Sequence, residues 1–349
     1  MGNRRVNLTI MLVGPLALLL VTANPSSIAK ENDLTPRAYL PLVLNQSTMP
    51  HPTVTPTNTA TPTRTPTRTA APTATSTAQP TSTPSGQPTP VGQSGNWNMI
   101  FSDEFSGTSL NTSIWRTCFL WLSQNNCTLS DNNELELYQP DDVYLDGAGN
   151  LVLRAQTRTV NGYNYTSGMV TAKASSAFQY GYAEARVKIP SGQGLWPAFW
   201  MLPADDSWPP EIDVMEILGQ DPTTAYLTYH WSSGGHQQSQ GSYTGPNFSA
   251  GWHTFAVDWG SNAIIWYVDG VERYRFTNAS AITNKSMYVL LNLAVGGWPG
   301  PPSTSTHFPA EFSIDYVRVW QKAAGSTSTL AATSIPTQRP PPNARRKLD

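Results

Sequence analysis

Glu211-Ile212-Asp213-Val214-Met215-Glu216 places three carboxylates within six residues, and the run continues through the apolar Ile217-Leu218 to Gly219. Like charges this close repel, so at least one pKa must rise, a cost that a purely structural strand has no reason to carry. Acid/base chemistry on a neutral polymer would account for it. In a flat strand side chains alternate, so Glu211, Asp213 and Met215 share one face while Glu216 points the other way with Ile212 and Val214. One extra residue, taken up as a bulge near Val214-Met215, brings Glu216 to the solvent face with Glu211 and Asp213 and returns the apolar residues to the core. Two glutamates flanking an aspartate suit retaining glycoside hydrolysis, in which an ionised carboxylate attacks and a protonated one donates, the two about 5 Å apart. Four strand steps span about 13 Å, so the pair converges only on a concave strand with the glutamates leaning inward.

Around this run the chain reads as all-β. From Trp97 onward, short segments rich in Val, Ile, Tyr, Phe and Trp alternate with turn residues, as at 150–155, 177–189, 225–231, 253–259 and 314–320, and none has a sustained helical period. Ile264 to Val268 and Val271 to Phe276 flank Asp269-Gly270, a pair suited to a type I′ hairpin turn. Many antiparallel strands in one domain of this size predict a two-sheet sandwich over 97–322. The flanks differ in kind. Residues 1–29 read as a secretory signal, with Arg4 and Arg5, an apolar stretch and small residues before cleavage at Ala23 or Ala29. A short segment, 30–46, leads to a Thr/Pro-rich linker over 47–96, which buries too little surface to fold, and 323–349 forms a tail of the same composition. No membrane span is expected once the signal is removed.

The whole chain carries a net charge of −2, but the 97–322 domain holds 11 Lys and Arg against 20 Asp and Glu, a net of −9. That balance excludes nucleic acid and disfavours strongly anionic polymers, leaving a neutral glucan as the expected partner of a secreted, extracellular, monomeric protein. Cys118 and Cys127 are the only cysteines and lie close in sequence, which in an exported chain predicts a local disulfide. Trp196, Trp200 and Trp208 precede the carboxylates, and indole faces suit the C–H-rich faces of sugar rings. Core packing is the competing reading, closest for Trp200.

The motif Glu-x-Asp-x-x-Glu stands between the Gly194-Leu195-Trp196-Pro197-Ala198-Phe199-Trp200-Met201-Leu202 block and the later Leu291-Asn292-Leu293-Ala294-Val295-Gly296-Gly297 and Asp315-Tyr316-Val317-Arg318-Val319-Trp320 blocks. In this order, over about 101–321, the chain resembles glycoside hydrolase family 16, and its five-residue step between glutamates resembles the laminarinase branch. Pro210 stands where the family usually has glycine; with Pro209 it removes two ladder donors, so the strand should begin abruptly at Glu211. The resemblance implies a jelly roll whose concave sheet carries the cleft, with Glu211 as nucleophile, Glu216 as acid/base and Asp213 as the charge neighbour between them. It further implies His230 beside the acid/base, Asn133 at the cleft edge unless it is a turn residue, and no catalytic cofactor. Glu104, Asp315 and a carbonyl near Gly149 match blocks that in family members supply oxygens to a structural calcium ion. His236, in the Gly-rich stretch 232–245, reads as a loop residue. The activity so implied is endo-β-1,3-glucan hydrolysis. A transglycosylase or mixed-linkage glucanase would share every catalytic residue, whereas a non-catalytic glucan binder has no need of both glutamates.

Overall fold

The computed structural model describes residues 87–323; the expected signal, the 30–46 segment, most of the expected linker and nearly all of the expected tail lie outside them. Two sheets of seven and ten strands pack face to face, the sandwich expected from the sequence. All the paired strands are antiparallel except Glu136–Tyr138, which runs parallel to Tyr163–Ser167. In the seven-stranded sheet the carboxylate strand Glu211–Ile217 lies between Leu195–Pro203 and Thr224–Ser232; Met287–Val295 flanks the former and His236–Thr244 the latter. The inner face of this sheet joins one large core, to which the carboxylate strand contributes Ile212, Val214, Met215 and Ile217.

Local sequence signals account for several elements. Asp269 and Gly270 both adopt positive φ, 50° and 74°, as a type I′ turn requires, and they join Ile264–Val268 to Val271–Phe276. The carboxylate strand starts at Glu211, immediately after the two prolines. Two expectations are corrected. The stretch containing His236 is no loop: His236–Thr244 is a nine-residue edge strand paired along its length with Thr224–Ser232. Its composition, rich in Gln and Ser, hides it from a reading based on apolar alternation, because an edge strand exposed to solvent needs no apolar face. The domain also begins before Trp97. The Trp320 indole N–H donates to the Pro88 carbonyl at 2.7 Å, and the Val91 N–H donates to the buried Glu184 carboxylate at 3.0 Å. The last residues of the expected linker are therefore fastened to the ten-stranded sheet.

Cys118 and Cys127 form a disulfide with both residues fully buried. Phe119, within the closed loop, packs edge-on against Trp200 at 6.1 Å between ring centres, so the staple fixes one wall of the cleft described below. Closing so short a loop removes chain entropy from the unfolded state. Replacing both cysteines by alanine should cost about 2–3 kcal/mol in denaturant unfolding, and intact mass after alkylation without reductant should show no modified thiol in the native protein.

Candidate active site

The register of the carboxylate strand slips between Asp213 and Glu216 against one neighbour and between Asp213 and Met215 against the other. This is the bulge that side-chain parity requires. Its effect is to place Glu211, Asp213 and Glu216 together in one cleft, with Trp196, Ala198, Trp200, His230 and Asn292 among the lining residues. A bulge leaves a backbone group out of the ladder. Here the Asp213 carbonyl turns inward and accepts the indole N–H of Trp266 from the opposite sheet at 2.8 Å, so the irregularity is satisfied inside the core.

Each carboxylate has its own partners. Glu211 accepts the Trp208 indole N–H at 3.0 Å and lies 3.6 Å from His230 Nε2. Asp213 sits 3.0 Å from the same His230 nitrogen. Glu216 accepts the Trp196 indole N–H at 3.2 Å and stays partly open to solvent. Glu211 and Asp213 are only 5% and 4% exposed. Burial pushes both up to about 8, and for Glu211 the Asp213 charge adds to the rise. Desolvation, with Asp213 and Glu211 nearby, drives Glu216 well above the carboxylate range. Burial lowers His230. Because burial and the neighbouring charges raise all three carboxyls, they ionise one after another, and the cluster keeps a proton at neutral pH. Glu216, with two acidic neighbours and a single indole donor, is the group best suited to keep one, whereas Glu211 has both an indole and an imidazole to support its anion.

These raised pKa values fix a sign for stability. A carboxyl whose folded pKa exceeds its unfolded value of about 4 stabilises fully below that value and loses the contribution as pH rises through the folded pKa. The thermal midpoint should therefore fall as pH rises from about 5 to about 9 and the carboxyl cluster gives up its protons. Glu211→Gln should reduce that slope, as measured by calorimetry across the range.

The sequence-predicted residues fall into place unevenly. Trp196 lines the cleft but is 5% exposed; its contribution is the N–H to Glu216 more than an open stacking face. Gly297, at φ 67°, makes room for it, since a Cβ there would lie 2.6 Å from the Trp196 ring. Trp200 is more exposed and is held by its N–H to Asn292 Oδ1 at 2.8 Å. Asn133 takes the turn role: it is exposed, left-handed at φ 58°, and its carbonyl receives the Gly297 N–H, while its neighbour Asn132 lines the cleft. Of the residues expected to hold calcium, Glu104 forms a two-pronged pair with Arg318 at 2.8 and 2.6 Å, and Asp315 pairs with Arg186 at 2.6 Å. Gly149 lies in the 146–150 turn, which Asp146 braces through the Ala148 and Asn150 amides.

Several site residues escaped the sequence reading. Asn292, the lone polar residue of the fully buried Met287–Val295 strand, bridges Trp200 and the Tyr138 hydroxyl. Glu134 lines the cleft with Asn132 donating to it at 3.0 Å, and burial raises it and Glu136. Trp298, directly after the quoted Gly296-Gly297, packs on Tyr226 with ring centres 4.6 Å apart, and Tyr226 pairs with Glu216 across the ladder.

A family profile described as "Glycosyl hydrolases family 16" matches residues 119–318. The chain belongs to glycosyl hydrolases family 16. Within family 16 it is 35% identical to the endo-beta-1,3-glucanase structure from Pyrococcus furiosus, covering 66% of this chain and 96% of that one with a TM-score of 0.58. The laminarinase catalytic domain from Thermotoga maritima is 32% identical, over 65% of this chain and 99% of that one, TM-score 0.59. Among curated family 16 relatives, the endo-1,3-1,4-beta-glycanase EglC of Rhizobium meliloti (strain 1021) is 37% identical over 237 residues, 63% of this chain and 51% of the relative. The chain thus spans about half the length of that protein.

Proposed function

We propose that this protein is an exported endo-β-glucanase that hydrolyses internal β-1,3 bonds of laminarin-type glucans with retention of configuration. The observation that carries the reading is the bulged strand, which gathers Glu211, Asp213 and Glu216 in one cleft. Glu211 is the nucleophile, its anion supported by the indole N–H of Trp208. It attacks the anomeric carbon while Glu216 gives its proton to the leaving oxygen. The ionised Glu216 then takes a proton from water, which opens the glycosyl-enzyme and restores both carboxyls. Asp213, held by His230, keeps negative charge between the two and so favours the protonated state of Glu216. Trp200 offers the partly exposed indole on the cleft wall against which a glucosyl ring can stack.

Export is supported by the leader-like 1–29 pattern and by the closed Cys118–Cys127 disulfide, which persists in oxidising compartments. The domain's net charge of −9 favours a neutral glucan over a sulfated one. No helix among the described residues is long and apolar enough to cross a membrane. Action on mixed-linkage β-1,3-1,4-glucan is the second reading, supported by the name of the EglC relative. Incubation with laminarin, mixed-linkage glucan and sulfated carrageenan, followed by sizing of the products, tests both. Laminarin should be cut internally to short oligosaccharides, mixed-linkage glucan more slowly, and carrageenan not at all. Faster cleavage of carrageenan than of laminarin would overturn the assignment.

A further inference from the structure

His236 stands on the edge strand, outside the carboxylate strand and its immediate neighbours, yet it touches two groups that serve the carboxylates. Its Nε2 lies 2.9 Å from His230 Nδ1, and its ring packs on Trp208 with centres 4.9 Å apart. Trp208 donates to Glu211, and His230 reaches Asp213. We infer that His236 is a positioning residue that fixes the tautomer of His230, and through it the site of the proton shared among the catalytic carboxyls.

A neutral imidazole has one donor and one acceptor nitrogen. His230 is 5% exposed, and its Nε2 faces Asp213 Oδ2 at 3.0 Å and Glu211 Oε1 at 3.6 Å. With Asp213 ionised, that nitrogen carries the proton, since only an N–H makes the contact attractive to a carboxylate oxygen. Nδ1 must then accept, and the group facing it is His236 Nε2, which must therefore be the N–H. The assignment holds whether His236 is protonated or is the neutral Nε2–H tautomer, because Nε2 donates in both. The titratable groups facing the pair are Asp213 and Glu211, with Glu216 beyond them; Trp208 is neutral. Without the His236 donor, His230 can place its proton on Nδ1, and the bare Nε2 then repels an ionised Asp213. Asp213 would respond by holding a proton, which removes the charge that keeps Glu216 protonated for its acid role.

This inference rests on the carboxylate strand being the active site, but its main test does not. Nitrogen-15 NMR of the His230 ring in the intact protein should show Nε2 protonated and Nδ1 bare. His236→Ala should mix the two tautomers, and His236→Gln, whose side-chain N–H can still donate to Nδ1, should restore the original one. In parallel, His236→Ala should lower kcat about tenfold with little change in KM, in the range usual for groups that orient a functional histidine, and should shift the kcat–pH profile, while His236→Gln should stay near wild type in both. A His230 that keeps Nε2–H in His236→Ala overturns the proposal, as does a His236→Gln variant as impaired as His236→Ala. Loss of the tautomer preference in a protein whose Glu211 and Glu216 variants remain fully active would instead uphold the His236 assignment and overturn the active-site reading.

Discussion

Glu211→Ala and Glu216→Ala should each cut laminarin hydrolysis by at least about a thousandfold, and the two defects should differ in kind. Removing the nucleophile leaves space on the face that Glu211 occupied. With an activated β-glucosyl donor, azide entering that space attacks once and yields the α-glycosyl azide. In Glu216→Ala the covalent intermediate still forms, because an activated leaving group needs no protonation. Azide then opens it with a second inversion to the β-azide. Proton NMR of the anomeric signal separates the products. Swapped anomers would exchange the two roles, and wild-type hydrolysis by both variants would remove the strand from the active site.

The second large effect is expected far from substrate, at Trp266. This fully buried indole donates to the Asp213 carbonyl that the bulge expels from the ladder. Trp266→Phe keeps most of the volume but strands a buried carbonyl, which should cost about 1–3 kcal/mol. Trp266→Ala adds a cavity and should cost about 3–5 kcal/mol. Because the same carbonyl sits at the step that turns Glu216 outward, Trp266→Phe should also lower kcat more than it raises KM. Denaturant unfolding and steady-state kinetics on the same sample check the pair of effects. A Phe variant with unchanged kcat would mean that the bulge holds its shape without the indole.

The central features of the fold and site were legible because they rest on strong local rules. Parity along Glu211–Ile217 demands a bulge from the sequence alone, and Asp269-Gly270 between two apolar runs encodes its hairpin. What stayed hidden depends on long-range contacts. The His236–Thr244 strand has almost no apolar residue, so its place is set by pairing with Thr224–Ser232. Glu134 and Glu136 are acidic in sequence and buried in space, satisfied in part by Asn132 and by the backbone of Val295, 159 residues away from Glu136. Asn132 and Asn133 are indistinguishable by composition; the positive φ at Asn133 decides which one turns to solvent. The arginine partners of Glu104 and Asp315, Arg318 and Arg186, come from distant positions in the sequence and were equally hidden.

The retaining, carboxylate-pair reading is tested most directly by the stereochemistry of the wild-type reaction. Proton NMR recorded during the first minutes of laminarin hydrolysis, before mutarotation mixes the anomers, should show new reducing ends appearing first as the β-anomer. New reducing ends appearing first as the α-anomer would mean a single displacement by water, and would contradict the assignment of Glu211 as a covalent nucleophile.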